Sequence, residues 1–352
     1  ASFQRGENRI NIRKFLGTSA GDGAALAASK VIAGPATSGL RSNFAFKKED
    51  TPVILEVAIN GSATKKVNAT APEAPAEIAQ QAIECLDAGA TIVHAHTNKP
   101  MEDPDAAAQV YIEAFEPVRR KHPHAILYPT ANFDPAVYQK SRTPWRPEIQ
   151  SGHYRKMAEA GAANMVLFDT GVVPISVYNE KGMIPKKGFW WYGFWPGDQE
   201  IVLDVCNDLG TGASISVFEP GWMKNVVAMA RAGILPRGAK VIMYFADYNW
   251  AGMAPPIPEA LQLYLHMIEG LDLKWSVGMV GGDIMDTPLA RMALERGGNF
   301  RVGLEDWWKG PSNLEQMARA KELINKVGRP IVAGADAIKY LDIPFKATRP
   351  KA

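Results

Sequence analysis

The chain is poor in cysteine and histidine, with two of the first and six of the second among 352 residues. Cys85 and Cys206 lie far apart in helix-like contexts, which excludes a disulfide framework and reads as two buried thiols. No run of about 18 apolar residues is present, so no segment qualifies as a transmembrane helix and no membrane partner is expected. A surplus of either charge is also missing: 39 basic residues face 37 acidic ones, for a net charge of +2 without a long block of one sign. That balance excludes the electrostatic footprint of a nucleic-acid-binding surface and leaves a small molecule as the expected partner. With 47% hydrophobic and 22% charged residues, the composition is globular and supplies a sizeable core.

Residues 1–50 show no period and end in the polar cluster Lys47-Lys-Glu-Asp50, so they read as an extension before a domain spanning 51–352. The stretch Arg13-Lys-Phe-Leu-Gly17 and the Ala/Gly/Ser-rich run after it resemble an export signal, but Ile12 replaces the first arginine of a twin pair and Asp22 interrupts the apolar part. The alternative is an arm lying on the domain or on a partner subunit. A cytoplasmic location is expected, with a periplasmic one following if the segment is a signal.

Within the domain, Val53–Ile59 is a strand run closed by Asn60-Gly61, and Glu73–Ala88 is helical, with Ile78, Ala82 and Leu86 on one face. A second strand covers Ala90–His96. Further strands are expected near Ala125–Ala131, Ala163–Asp169, Ala213–Glu219, Lys240–Asp247, Lys274–Gly281 and Asn299–Asp306, each followed by an amphipathic or Ala-rich segment. Apolar strands alternating with helices predict a parallel sheet, and eight such units predict an α/β TIM (β/α)8 barrel. An open doubly wound sheet would need a Gly-rich phosphate turn after the first strand, and Asn60-Gly-Ser-Ala63 is not one. Residues 172–199 form an oversized insertion containing Phe189-Trp-Trp-Tyr-Gly-Phe-Trp195, expected to cover the barrel mouth or to dock on another subunit. Asn313–Val327 reads as the last helix and Pro330–Pro344 as a tail packing back.

Active sites in such barrels gather at the carboxyl ends of the strands. The second strand ends in His94-Ala-His96, and its two-residue period aims both imidazoles at one face. Two convergent histidines suit a divalent metal, although hydrogen bonds alone can also satisfy such a pair. On the last strand the same period places Arg301, Gly303 and Glu305 together, with Asp306 at the turn, so Glu305 is the candidate third ligand. Asp169 and Asp247 are expected to cap the helices that follow their strands. Trp190, Trp191, Trp195, Trp250, Trp307 and Trp308 suggest either an aromatic-lined pocket or interface packing. His122, His124, His153 and His266 read as surface or structural, and Lys65 and Lys66 as a solvated pair with a coenzyme A phosphate as the alternative.

Several stretches together resemble the β-keto acid cleavage enzyme family from about Pro52 onward: Leu55-Glu-Val-Ala-Ile-Asn-Gly61, Val93-His-Ala-His96, Pro129-Thr130, Glu219-x-Gly221 and Gly297-Gly-x-x-Arg-Val-Gly-Leu-Glu-Asp306. The resemblance implies a zinc-dependent TIM barrel that converts a β-keto acid and acetyl-CoA into acetoacetate and a new acyl-CoA. It implies His94, His96 and Glu305 as zinc ligands, Arg301 and Asp306 as the catalytic pair, and Glu219 as a supporting acid. Thr130, with Asn60 and Asn132, is the expected substrate contact, and a homo-oligomer, dimer or tetramer, is the expected assembly. Three positions depart from the family pattern. Ala63 stands where the amino-substrate enzyme has a Glu that binds an ammonium group, His-x-His-x-Arg becomes His94-Ala-His-Thr-Asn98, and Trp307 follows the Glu-Asp pair in place of Asn. These departures argue against 3-keto-5-aminohexanoate as substrate. Two other readings stay open at this point: a metal-dependent lyase or hydrolase that does not use coenzyme A, and a non-catalytic, metal-assisted carboxylate-binding barrel.

Overall fold

The protein is described by a computed structural model covering residues 47–97, 103–132, 146–185 and 190–344. The expected N-terminal extension, apart from its last four residues, and Asn98 lie outside the described residues.

Among the described residues eleven strands run in chain order: β1 (Leu55–Ala58), β2 (Ile92–Ala95), β3 (Ile126–Pro129), β4 (Met165–Asp169), β5 (Val172–Val177), β6 (Trp190–Gly193), β7 (Gly212–Val217), β8 (Lys240–Ala246), β9 (Trp250–Ala251), β10 (Lys274–Val280) and β11 (Asn299–Val302). Eight of them form one sheet in the order β3-β2-β1-β11-β10-β8-β7-β4, every pair parallel. These are the eight strands expected from sequence. Buried on both faces, they read as near-continuous apolar runs because helices cover the outside and side chains fill the inside. The sheet comes close to closing on itself through one side chain. Asn164, just before β4, accepts from Leu127 N through Oδ1 (3.0 Å), donates from Nδ2 to Ala125 O (3.0 Å), and donates from its backbone N to Leu127 O (3.3 Å). The fold is therefore a nearly closed (β/α)8 barrel.

Seven of the helices among the described residues begin at proline: Pro75–Asp87, Pro104–Lys121, Pro147–Ser151, Pro196–Leu209, Pro220–Ala232, Pro258–Met267 and Pro288–Glu295. Proline fixes the helical φ, and its missing N–H falls where no intrahelical acceptor exists, so each of these helices starts at a defined residue. At the amino-terminal face, Val53 bridges to Ile331 and the Arg329 guanidinium donates to the carbonyls of Thr51, Leu294 and Gly298. That is where the expected tail packs back, and it continues as a helix, Gly334–Leu341.

The insertion is more ordered than a loop. β5 pairs antiparallel with β6 and with β9, making a small three-stranded sheet in the order β6-β5-β9. It follows β4 directly, so in the β4 unit a hairpin intervenes between the strand and its helix, Pro196–Leu209. Trp191 and Trp195 remain exposed, while Phe194 is buried. Both cysteines are buried and free, and burial pushes each thiol up to about 12. Among the described residues no helix is long and apolar enough to cross a membrane.

Candidate functional site

At the carboxyl end of β2 the two histidines converge. His94 is buried and its Nδ1 lies 3.1 Å from the carbonyl of Tyr128 on β3, whose ring stacks on the imidazole at 4.2 Å. A carbonyl only accepts, so Nδ1 carries the proton and Nε2 presents a lone pair. That Nε2 sits 3.1 Å from His96 Nε2 and 3.1 Å from Glu305 Oε2, and His96 Nε2 sits 3.4 Å from Glu305 Oε1. Asn60, one residue past the β1 run, holds this corner together. Its Oδ1 accepts from His96 N (2.8 Å), and its Nδ2 donates to His96 O (2.8 Å) and Pro72 O (2.9 Å).

Glu305 reaches the histidines by a different route from the one expected. β11 ends at Val302, so the two-residue period does not extend to position 305. The chain turns at Gly303, whose φ of 131° and close approach to the Ala58 carbonyl exclude a side chain, and Glu305 N then donates to Ala58 O (3.2 Å). Gly61, at φ 54°, gives way on the other side: a Cβ there would lie 2.3 Å from Glu305 Cγ. Two glycines thus let the turn after β11 press against the end of β1.

The three side chains fit a divalent cation. Burial lowers the His94 pKa, which favours the neutral ring. Burial would raise that of Glu305, but Arg301, His94 and His96 hold it well below the usual carboxylate range. His94 Nε2 and Glu305 Oε2 therefore present electron pairs to each other at 3.1 Å, with Glu305 Oε2 buried and accepting no well-formed hydrogen bond, and His96 Nε2 converges on the same point at 3.1–3.4 Å. Such an arrangement is repulsive unless a positive charge sits among them. A tetrahedral ion about 2.0–2.1 Å from each of two ligands sets them about 3.3 Å apart, the spacing found here. Among the described residues this is the one group of three side chains placed to hold a metal.

Beside the triad, Arg301 on β11 grips Asp306 with both arms, Nε to Oδ2 at 3.0 Å and Nη2 to Oδ1, and its Nη2 lies 3.3 Å from Glu305 Oε1. Burial pushes the Asp306 carboxyl up to about 6 against the pull of Arg301, with the Glu305 and Glu56 charges pushing the same way. Beneath lies a layer that the sequence reading overlooked. Glu56 on β1 pairs with Lys240 on β8, accepts from the Tyr128 hydroxyl and stands 3.8 Å from Arg301, all at almost no exposure. The available signal was a carboxylate inside the apolar run Val53–Ile59 and a lysine opening the run Lys240–Ala246, since unpaired charges there would be prohibitive.

Residues 52–343 match the family model described as beta-keto acid cleavage enzyme. The chain belongs to that family. Relatives include a 3-oxoadipate:acetyl-CoA acetyltransferase of Cupriavidus necator, 26% identical over 83% of this chain and 95% of that one. A 3-dehydrocarnitine:acetyl-CoA trimethylamine transferase of Rhizobium meliloti is 24% identical over 83% of this chain and 96% of that one. A 3-keto-5-aminohexanoate cleavage enzyme of Fusobacterium nucleatum is 25% identical, with coverage of 83% and 98%. Among solved structures, apo ObcA shares the fold with a TM-score of 0.54 at 15% identity, covering 77% of this chain and 65% of that one.

For this member of the β-keto acid cleavage enzyme family, the barrel gathers His94, His96, Glu305, Arg301 and Asp306 at one rim. Thr130 stands partly exposed at the end of β3, its carbonyl taken by His153 (2.9 Å). Asn132 is buried nearby and donates from Nδ2 to Ile149 O (3.0 Å). Glu219 does not join the cluster: it precedes the helix Pro220–Ala232, and its charge acts on Tyr264 in the outer helix layer. Neither aspartate expected to cap does so. Asp169 runs into β5, and the helix after β8 starts next to Ile257, ten residues beyond Asp247. Ala63 is enclosed with Ala71 and Leu304, against Trp308, and offers no charge. Trp250 and Trp308 meet edge-on at 6.1 Å, and the Arg319 guanidinium lies 5.7 Å over Trp307. Lys65 pairs with Glu77 on the surface.

Proposed function

We propose that the protein is a zinc-dependent β-keto acid cleavage enzyme that uses acetyl-CoA as co-substrate and releases acetoacetate and a new acyl-CoA. The observation that carries this reading is the convergence of three lone-pair donors, His94, His96 and Glu305, beside an arginine-held carboxylate, Asp306. The acetyl-CoA transferases among the relatives support the co-substrate. Zinc bound by the triad would supply Lewis acidity to the β-keto oxygen, making the methylene between the two carbonyls more acidic.

The chain's own residues supply the rest. Asp306 is the base for that methylene proton, and Arg301 fixes the carboxylate in one orientation through two hydrogen bonds while leaving its other lone pairs for the substrate. The Glu56–Lys240 pair keeps Arg301 from settling on a buried carboxylate other than its own, because the Glu56 charge is already met by Lys240. Asn60 positions His96 through the backbone, and Tyr128 fixes the His94 tautomer from the second strand neighbour. Thr130 and Asn132 border the site as substrate contacts.

The test is incubation of the zinc-loaded protein with acetyl-CoA and a panel of β-keto acids, following acetoacetate and acyl-CoA. Cleavage that runs equally well without acetyl-CoA would remove the transferase reading and leave a lyase or hydrolase.

A further inference from the structure

The end of β4 and the inserted hairpin carry a second cluster that this reaction leaves unused. Asp169 is the last residue of β4, fully buried and in register with Ser216 of β7. Two residues earlier on β7, Ser214 points into the barrel, where its hydroxyl meets Tyr128 and Lys240. The two-residue period therefore puts Ser216 on the inner face, one step nearer the mouth, and Asp169 beside it. Tyr192 reaches down from β6, and it and Ser216 turn their hydroxyls toward Asp169.

The lining continues to the reaction centre. Tyr192 packs edge-on against Phe218 at 5.3 Å, Phe218 stacks on Tyr244 at 4.8 Å, and the Arg301 guanidinium lies 5.0 Å over Tyr244. The Glu305 charge acts on both Asp169 and Tyr192, which places the cluster on the same side of the barrel as the triad. Both Asp169 oxygens are buried, and no cation among the described residues is in ion-pair range of either. Burial pushes this carboxyl up to about 7 despite the two hydroxyls, and the Asp198 and Glu305 charges add to the rise. A buried carboxylate without a counter-charge is costly, and a cation held between it and aromatic faces removes that cost.

We infer that Asp169, Tyr192 and Phe218 form the subsite for the substrate's side group and select a β-keto acid whose side group is positively charged. The inference rests on the reading of the substrate as a β-keto acid. It also gives the insertion a role, since Tyr192 comes from β6, and it places the charge-reading group on β4, away from the apolar surroundings of Ala63.

The test uses the zinc-loaded full chain and a matched pair of probes. Carnitine carries a trimethylammonium group; 3-hydroxy-5,5-dimethylhexanoate keeps the carboxylate and replaces the nitrogen with carbon, so its side group is neutral. By calorimetric titration, carnitine is expected to bind at least about tenfold more tightly. Asp169→Asn should bring that ratio below about twofold, and Tyr192→Phe, which keeps the ring, should lower it by about threefold. Equal binding of the two probes, binding of neither, or a full wild-type ratio in either variant overturns the inference. A parallel turnover assay with 3-dehydrocarnitine, 3,5-dioxohexanoate and 3-oxoadipate separates the two claims. Charge discrimination without acetoacetate from any of them leaves the subsite standing and refutes the reaction.

Discussion

His153 provides a quantitative check on the packing beneath the barrel mouth. It opens the short helix His153–Glu159 and is fully buried. Nε2–H donates to the Thr130 carbonyl at 2.9 Å, Nδ1 is buried without a partner, and the rings of Tyr154 and Tyr111 lie at 4.3 and 5.7 Å. Burial therefore lowers its pKa from 6.5 to about 4, the Thr130 bond pulling weakly the other way. Below 6.5 the unfolded chain takes up a proton at this residue, and the folded chain does not until about 4. Stability is thus full above the upper value and is lost as pH falls toward the lower one. At 1.36 kcal/mol per pH unit the loss comes to about 3 kcal/mol. Asp169 works in the same window with the opposite sign. Its folded value of about 7 lies above the ordinary 3.8, so its contribution weakens as pH rises between them. The wild-type profile alone mixes the two, but His153→Gln isolates one. Glutamine keeps an N–H donor toward Thr130 and does not titrate. Urea unfolding of both zinc-loaded proteins, followed by tryptophan fluorescence from pH 4 to 7.5, should show the wild-type advantage shrinking by about 3 kcal/mol between pH 7 and pH 4. Parallel curves would refute a neutral, buried His153.

Four further outcomes are expected. His94→Ala and Glu305→Ala should each abolish equimolar zinc measured by atomic absorption, and full zinc content in either variant would sink the ligand assignment. Asp306→Asn should keep its zinc and lose at least about a hundredfold in kcat; unchanged turnover would remove Asp306 as the base. Gly61→Ala should fold but bind zinc more weakly, because a Cβ 2.3 Å from Glu305 Cγ displaces that ligand, and unaltered affinity in a chelator competition would contradict the packing described. Asn164→Ala should cost about 1–3 kcal/mol in urea unfolding, as the β3–β4 seam loses its side-chain hydrogen bonds and Leu127 N is left buried without a partner, while Ala125 O keeps the Arg119 guanidinium; a loss under about 0.5 kcal/mol would mean the barrel closes by other contacts.

The barrel was legible because strands buried on both faces must be apolar throughout, and eight such runs survive any error at their ends. The His94–His96 pair was legible for the same reason, since both residues belong to one strand face. Glu305 is more instructive: the period that pointed to it stops at Val302, and a turn at Gly303 delivers it instead. Asp169 was misread because the β-α repeat puts a helix directly after each strand end, and at β4 the hairpin comes first, so the helix Pro196–Leu209 starts far from Asp169. Asn60 shows the deeper limit. A polar residue at a strand end can address a ligand or its own backbone, and only coordinates reveal that the two Nδ2 hydrogens and Oδ1 of Asn60 are all engaged by His96 and Pro72. The useful measure is therefore the bonding capacity left over. By that measure Asn60 is a positioning residue and Glu56 is matched by Lys240, while the facing electron pairs of His94 and Glu305 and the buried carboxyl of Asp169, which meets no cation among the described residues, are left unsatisfied. These two unmet demands, one for a divalent cation and one for a positive side group, mark the two ends of the substrate on the proposed reading.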